Sequence, residues 1–583
     1  MGDKALFTFT IGPVKSFVEN GRKMRDLYAG SSILSRLTSH VVTYLEGRND
    51  IEVIFPKFNI TSDEQKITSF PNRLVAYIES FDQAKHQEMA EEMEKMVRRE
   101  FDKIVSESFE KLNPKYDLAI AHQQLKNFLE VYWLFEEYQE DYSSTYQSLF
   151  QNTHMVKSIR AFTQSTEPWG RKCVLHPEYN GIFVKEKGRE GFPYQTNPDH
   201  IIDITDEGEL KYAVQPNEAM SAIALVKRLY DTKTHNVSSR NMVLKKRLEL
   251  TKSTALFLQL FTTEKIEETT HIVNALYDID NELKPNEEDY PKKWIEEAKK
   301  LHEKLKDDTR EKKIRLTSYY AILKFDGDNM GDAYKELKSK EEHTELSRKI
   351  CAFATEANKI IKQEGGICIY AGGEDILAAM PIEEFWKVLE RLHKEFTKQT
   401  RITFSAGVVI AHLMQPLKDV MNEVAKAEKR AKDYHYSGQI KNAFAVSLMK
   451  RSAETRSFRY SFDHHHDYQS LCLFENLIKS FKEKRDSKST VYKINNLLGM
   501  LLSKEGKKTA SEMMKSDKED KKPDAEMIKS LIKHSIKSGE VDSEDGFVEK
   551  ILNLYAKSEK LSHLMNTLDV ASFLAREVEQ YVR

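Results

Sequence analysis

Three carboxylates have the type and spacing to do chemistry. Asp326 opens Asp326-Gly327-Asp328, directly after the apolar run Tyr319–Phe325. Glu374 and Asp375 close Gly372-Gly373-Glu374-Asp375, between the apolar runs Ile367–Tyr370 and Ile376–Met380. Clustered carboxylates repel, so such a group implies a cation or raised pKa values. Hard oxygen ligands of this kind suit Mg²⁺ or Mn²⁺. Two such metals about 4 Å apart could activate an attacking hydroxyl and stabilise a leaving oxygen. Gly372 and Gly373 allow a turn with positive φ and leave room for a triphosphate. Lys432, late in the helical stretch Ala425–Tyr434, is placed to reach a phosphate, although a solvated helix-face lysine has the same pattern. Each acidic motif alone is an ordinary surface turn. Their joint placement at strand ends within one unit is what argues for a metal site.

The elements that must hold these residues are legible around them. Tyr319–Phe325 reads as a strand and Glu342–Gln363 as a helix. Ile367–Tyr370 and Ile376–Met380 read as two strands joined by the glycine turn. A helix at Glu383–Lys398, a strand at Ile402–Ile410 and a helix from Pro416 to about Tyr434 complete the order βαββαβα, that of a ferredoxin-like or palm domain.

Upstream, Ala5–Ile11 reads as a strand broken by Gly12-Pro13, and Arg73–Ile78 as a second strand. A helix follows Pro13, carrying Phe17, Val18, Met24, Leu27 and Tyr28, with Arg22, Lys23 and Arg25 on the same helix and Asp26 and Ser31 beyond. These residues suit either a nucleotide- or RNA-facing surface or a solvated helix face. Long amphipathic helices are expected from Gln83 to about Phe150. From Thr153 to Val226 proline and glycine rise (Pro168, Gly170, Pro177, Gly181, Gly191, Pro193, Pro198) and periodicity fades, as in a loop-rich module. Residues 227–315 return to helix, with a charged stretch at Glu296–Lys313. The segment from about 455 to 583 reads as mostly helical, and the mixed charges of Lys504–Lys529 as a solvated surface.

The chain has 583 residues, enough for roughly four domains. Its formal charge of −2 excludes a uniformly basic nucleic-acid coat, and four cysteines exclude a disulfide scaffold. No apolar run approaches a membrane span and the N-terminus lacks a signal-peptide core, so a cytoplasmic location and no membrane partner are expected.

Leu323–Gly331 ("LKFDGDNMG") and Tyr370–Pro381 ("YAGGEDILAAMP") resemble the polymerase/cyclase palm of the large subunit of type III CRISPR effector complexes, Cmr (III-B) class. Ile402–His412 and Ala427–Tyr434 fit the same domain. Ile11–Ser35 ("IGPVKSFVENGRKMRDLYAGSSILS") resembles that family's first palm. The resemblance implies an α+β chain. Its expected parts are a first ferredoxin-like palm with helical insertion (1–152), a degenerate zinc-ribbon and helical module (153–315), a catalytic palm (316–450) and a C-terminal helical bundle (451–583). It also implies an ATP-using nucleotidyltransferase within an RNA-guided antiviral complex, switched on by target RNA, with Cmr-type subunits, guide RNA and target RNA as partners. Attack of a 3′-hydroxyl on an ATP α-phosphate would release pyrophosphate and make cyclic oligoadenylate messengers. The family's two ATP sites lie between its palms. Its metal-binding, catalytic acids map onto Asp326, Glu374 and Asp375. ATP is expected against Gly327, Asp328, Gly372, Gly373 and Lys432.

Three departures qualify this. Glu374 stands where the family commonly has aspartate, and the added methylene changes the geometry offered to Mg²⁺. The first palm is read as beginning by residue 5, so the family's HD nuclease is not expected. Asp463-His464-His465-His466-Asp467 lacks the helical His/Asp partners of a substitute and reads as a polar loop. Of the ribbon's two Cys-x-x-Cys pairs only Cys173 and His176 remain, with Ser221 and Ala224 at the second pair, so zinc is not expected. Cys351, Cys368 and Cys472 lie on apolar segments and read as core. The HD-less branch suggests transfer of AMP to another acceptor such as S-adenosylmethionine. The alternatives are an inactive scaffold subunit and a free-standing GGDEF-like cyclase. The scaffold has no use for clustered acids; the cyclase does not account for the first palm or helical tail.

Overall fold

The computed structural model describes residues 3–58, 69–113, 116–139, 141–159, 167, 170–185, 201–204, 212–215, 218–230, 237–250, 254–261, 266–287, 289–307, 316–452, 454–463, 465, 468–483, 487–506, 523–536 and 544–579. The chain is mixed α+β. Its first sheet comes from β1 (Asp3–Gly12), β2 (Ile51–Phe55), β3 (Arg73–Phe81) and β4 (Glu130–Glu137), in the order β2-β3-β1-β4. All three pairings are antiparallel. Strand alternation splits β1 between two cores. Ala5, Phe7, Phe9 and Ile11 pack in one, and Leu6 in the other. The first core is shared with α2 (Met24–Glu46) and α3 (Gln83–Phe109). α1 (Lys15–Glu19), α4 (Ala119–Lys126) and α5 (Tyr142–Ser158) complete this region.

The sequence expectations differ here in two ways. The helix after Pro13 is two helices, and Arg22 and Lys23 stand in the break between them. Asp26 bends back so that its Oδ2 accepts the N–H groups of Arg22 and Lys23, both at 3.0 Å. The long helical stretch to Phe150 is interrupted by β4. Its run Val131–Phe135 is apolar without alternation, and pairing with β1 overrides any helical preference.

A small sheet follows, β6-β5-β7, from β5 (Phe183–Val184), β6 (Ile202–Asp203) and β7 (Ala219–Met220). Helices α6 (Ala222–Leu229), α7 (Ser239–Leu250), α8 (Thr254–Phe261), α9 (Ile266–Asp280) and α10 (Lys292–Asp307) come next. Pro168, Gly191, Pro193 and Pro198 lie outside the described residues.

The second sheet has six strands, β15-β14-β11-β8-β10-β9. They are β8 (Tyr319–Gly327), β9 (Ile367–Ala371), β10 (Asp375–Pro381), β11 (Phe404–His412), β14 (Ala443–Met449) and β15 (Thr455–Ser461); a short ribbon of β12 (His435–Tyr436) and β13 (Gln439–Ile440) lies apart. Within it β11-β8-β10-β9 repeats the order of the first sheet, with β8 in the place of β1. Leu323, Phe325, Ala378 and Val408 face α12 (Lys340–Gln363) and α13 (Phe385–Thr400). Ile322, Leu377, Ala379 and Val409 face α14 (Leu417–Lys432). Gly407 is where α14 rests on β11: a Cβ there would lie 2.3 Å from the Glu428 nitrogen. A short helix, α11 (Met330–Lys335), follows β8. β14 and β15 were not anticipated, and they carry the sheet past the expected boundary at 450 and into the segment read as helical.

The two sheets meet reciprocally. α2 packs on the edge strand β9, and α12 on the edge strand β2. Beyond β2, Lys57 N–H donates to Ser347 Oγ at 2.9 Å; at the end of β9, Ala371 N–H donates to Ser69 Oγ at 3.3 Å. The C-terminal helices α15 (Gln469–Glu483), α16 (Ser487–Gly506), α17 (Ala525–Ser535), α18 (Glu544–Lys557) and α19 (Leu561–Glu579) pack together, with α19 against β15. Cys351 and Cys368 are buried, whereas Cys472 is exposed on α15, contrary to expectation. No helix among the described residues is long and apolar enough to cross a membrane.

Candidate functional site

The hairpin of β9 and β10 lies beside the C-terminal end of β8. Gly372 N–H donates to the Asp375 carbonyl at 3.0 Å, and Gly327 N–H to the Glu374 carbonyl at 3.2 Å. Gly373 has φ +118°, which a side-chain-bearing residue rarely adopts. This closure sets Asp375 directly opposite Asp326 across the ladder. The pleat sends both carboxylates to the face that α14 covers. Pleating also carries Lys324, two residues before Asp326, to that face.

The face is an alternation of charges. Lys432 Nζ is paired with Asp326 Oδ2 and lies 3.6 Å from Glu428. Lys324 Nζ lies 2.9 Å from Glu19, on α1, and 3.4 Å from Glu428. Burial opposes the charge on Lys324, but Asp375, Glu19 and Glu428 hold its pKa above the usual range. Lys432 is lowered, by burial first and then by Lys441 and Lys324. Asp375 is pushed up to about 7, chiefly by burial, with Glu428, Glu374 and Glu19 adding and Lys324 opposing. Its buried Oδ1 has no hydrogen-bond partner.

Glu374 leaves this face. Burial raises its pKa, opposed first by a backbone hydrogen bond at Glu374 and then by Arg73. Its charge also acts on Tyr146 and Tyr334. Glu374 therefore stands toward the first sheet while its neighbour Asp375 stands toward α14. Among the described residues no three His, Cys, Asp or Glu side chains gather closely enough to hold a metal ion. Asp326 and Asp375 do fit a hard divalent cation: they are cross-strand neighbours, and one buried oxygen is unsatisfied. The three-acid set that the sequence suggests is not assembled in this conformation.

Asp328 also departs from expectation. It is 4% exposed and turned inward. Its carboxylate accepts from Thr403 Oγ1 at 2.8 Å, Ser405 Oγ at 2.7 Å and the Asn442 N–H at 3.0 Å. A carboxylate so occupied ties β8 to β11 and β14 rather than facing a nucleotide. Asn442 Oδ1 continues the chain to His393 Nε2 at 2.7 Å.

Sequence reasoning missed Lys324, Glu428 and Glu19. The first two had a signal: Lys324 is two residues from Asp326 on one strand, and Glu428 four residues from Lys432 on one helix. Glu19 had none, because it arrives from the other sheet unit. A cavity of about 150 Å³ between α2 and β9 was also missed; Tyr28, Ser31, Ser32, Ser69, Asn358 and Tyr370 are on its wall.

Other expected features resolve as follows. Asp26 is buried against Arg228, at 2.6 Å, and is not surface-facing. Cys173 and His176 share one turn, with His176 N–H donating to Cys173 Sγ at 3.4 Å. Ser221 Oγ caps α6 by accepting from Ala224 N–H at 3.4 Å. Asp463 is paired with Lys557, while His464, His466 and Asp467 lie outside the described residues, as do 507–522 of the charged tail segment.

Residues 319–445 match the family described as Cas10/Cmr2, second palm domain, and residues 6–106 the family described as CRISPR-associated protein Cmr2, N-terminal. The chain is 22% identical over 548 residues to a CRISPR system Cmr subunit Cmr2 from Pyrococcus furiosus. That alignment takes in 77% of this chain and 62% of the relative, so the chain spans about three fifths of that protein's length. Its fold is similar to a chain of the type III-B Cmr-beta complex in the apo state, with TM-score 0.60, 13% identity and coverage of 93% of this chain and 78% of that one. The same holds for Cmr-beta bound to cognate target RNA, with TM-score 0.62, 13% identity and coverage of 98% and 83%.

Proposed function

We propose, for a chain that belongs to the Cas10/Cmr2 family of type III-B large subunits, that it transfers adenylyl groups from ATP within an RNA-guided complex. The observation that carries this reading is the Asp326–Asp375 cross-strand pair at a glycine turn, inside the segment that matches the second palm domain. A bound Mg²⁺ or Mn²⁺ would supply Lewis-acid stabilisation of charge at phosphorus. Asp326 and Asp375 would hold it.

The chain's own residues do the rest. Burial keeps Asp375 poised near neutrality, so an arriving cation meets a carboxylate that ionises with little cost. Lys432 exchanges its pairing with Asp326 for a phosphate of ATP. Lys324 offsets the remaining negative charge. Asp328 positions the end of β8, a role that replaces direct ATP contact; Gly373 shapes the turn, and Gly327 and Gly372 admit the close approach of Met330 and Tyr370. Glu374 contributes its backbone carbonyl to the turn, accepting from Gly327 N–H. Transfer forms a bond from an acceptor hydroxyl or other nucleophile to the α-phosphorus, and the bond to pyrophosphate breaks.

The product is a second messenger, either a cyclic oligoadenylate or AMP joined to an acceptor such as S-adenosylmethionine. Target RNA, guide RNA and other Cmr subunits are the proposed partners. The proposed units are a first palm (1–152), a helical and degenerate-ribbon module without zinc (153–315), a catalytic palm extended by the observed strands to 461, and a helical remainder. The location is cytoplasmic.

Incubating the assembled complex and target RNA with labelled ATP, with and without S-adenosylmethionine, tests the reading. Product should require target RNA and divalent cation and vanish in Asp326→Ala and Asp375→Ala complexes that still assemble. An acceptor-dependent product selects the conjugate. Synthesis that persists in either variant overturns the assignment.

A further inference from the structure

A second polar cavity, of about 310 Å³, lies away from the carboxylates. Tyr320 is on its wall, at the far end of β8 from Asp326, roughly 20 Å along the strand. Four cations reach this wall: Arg22, Lys23, Arg25 and Arg240; Asp289 is its one acid among the described residues. Glu218 stands 3.6 Å from Arg22 and Asp278 3.0 Å from Arg240, and Glu218 and Asp26 also act on Lys23, so the positive charge of the wall is partly met. The first residues of three helices, α2, α7 and α14, also open on the cavity. Helix N-termini carry partial positive charge and unpaired N–H groups, which favour anions.

We propose that this cavity binds a small phosphate ester of mononucleotide size, separately from the site of adenylyl transfer. A volume of about 310 Å³ is at the lower end for small-molecule pockets and accommodates one nucleotide rather than a polymer. Tyr290 on the wall offers an aromatic ring for a base, while His271 beside it is stacked on Trp294 at 4.7 Å. His271 Nδ1 is buried without a hydrogen-bond partner. The cavity's field is already felt by its own groups. Burial, with Arg228 and Arg25 and against Glu218 and Asp26, lowers Lys23 to about 7, and burial with Lys23 and Arg25 lowers His271 to about 3. An anion would relieve both. Because the wall draws on α2, on α7 and α9, and on the second sheet's β8 and α14, an occupant would bridge the two sheet units.

Binding of AMP to the purified full chain by calorimetry, with chelator present, isolates this site from metal-supported binding at Asp326 and Asp375. Inorganic phosphate and ATP are parallel arms that separate phosphate recognition from nucleoside recognition. AMP should bind, the double variant K23Q/R25Q should weaken it about tenfold or more, and D375N should leave it unchanged. S239W, which fills the cavity without touching a charge, should abolish it and decides the matter if K23Q/R25Q does not fold. Unchanged AMP affinity in S239W overturns the proposal, as does loss of AMP binding in D375N, or tight binding of single-stranded RNA with none of AMP.

Discussion

Replacing Asp375 with asparagine should stabilise the chain above neutral pH. The carboxyl rises from an ordinary value near 3.8 to about 7 because it is buried on the α14 face with an oxygen unsatisfied. A raised carboxyl pKa means that the folded state binds more protons than the unfolded state between those two values. Stability therefore falls as pH rises through that window and is lowest above pH 7. Between pH 5 and 7 the window spans about two units, and at about 1.4 kcal/mol per unit the loss is ~3 kcal/mol. The amide of the variant carries no such charge, so D375N should gain ~3 kcal/mol on wild type between pH 5 and pH 8. Urea denaturation of both proteins at the two pH values measures it as a midpoint shift. Adding Mg²⁺ at pH 8 should then raise the wild-type midpoint but not that of the variant, because only wild type gains a ligand carboxylate. A wild-type-minus-variant difference that stays constant from pH 5 to 8, or a variant less stable at pH 8, would refute the electrostatic account of this face.

Arg228→Met should cost about 3–5 kcal/mol in the same denaturation assay, because Asp26 would remain buried without its paired guanidinium and Glu218 would keep only Arg22, at 3.6 Å. Asp328→Ala should cost ~2–3 kcal/mol by leaving Thr403, Ser405 and the Asn442 N–H unpaired. It should also reduce product formation by the assembled complex while leaving subunit assembly intact. Gly407→Val should destabilise by ~1–3 kcal/mol by driving α14 off β11, and the melt should be accompanied by weaker ATP binding as Lys432 and Glu428 leave the site.

The second sheet unit was legible because its local signals agree. Glycine turns, apolar strands of five to nine residues and amphipathic helices all point to one order, and observed ends differ from expected ones by a few residues. The first unit was less legible. Val131–Phe135 reads as apolar in every register, and only its place beside β1 makes it a strand. β15 carries Arg456 and Arg459 on an edge, a pattern that a solvated helix shares. In the site, the types and the sheet edge were visible, but side-chain direction was not. Glu374 and Asp375 are consecutive, and whether both face α14 depends on where the turn ends and the pleat begins. Asp328 looked like a nucleotide contact because the hydroxyls that claim it, on Thr403 and Ser405, lie about seventy-five residues away in sequence.

The reciprocal seating of α2 on β9 and α12 on β2 frees one half of the molecule from the obligations of the other. In a homodimer built from the same face, each substitution appears twice, and an acidic edge cannot be dropped from one side alone. Tethering two copies of the fold in a single polypeptide breaks that symmetry. β1 and β8 both end on glycine, yet the residue before it is Ile11 in one and Asp326 in the other. Where Asp375 stands opposite Asp326, the first unit's ladder ends one position earlier, with Arg73 opposite Thr10. One half thus carries the acidic edge, and the other is free to diverge. Their encounter is intramolecular, so its strength does not depend on protein concentration.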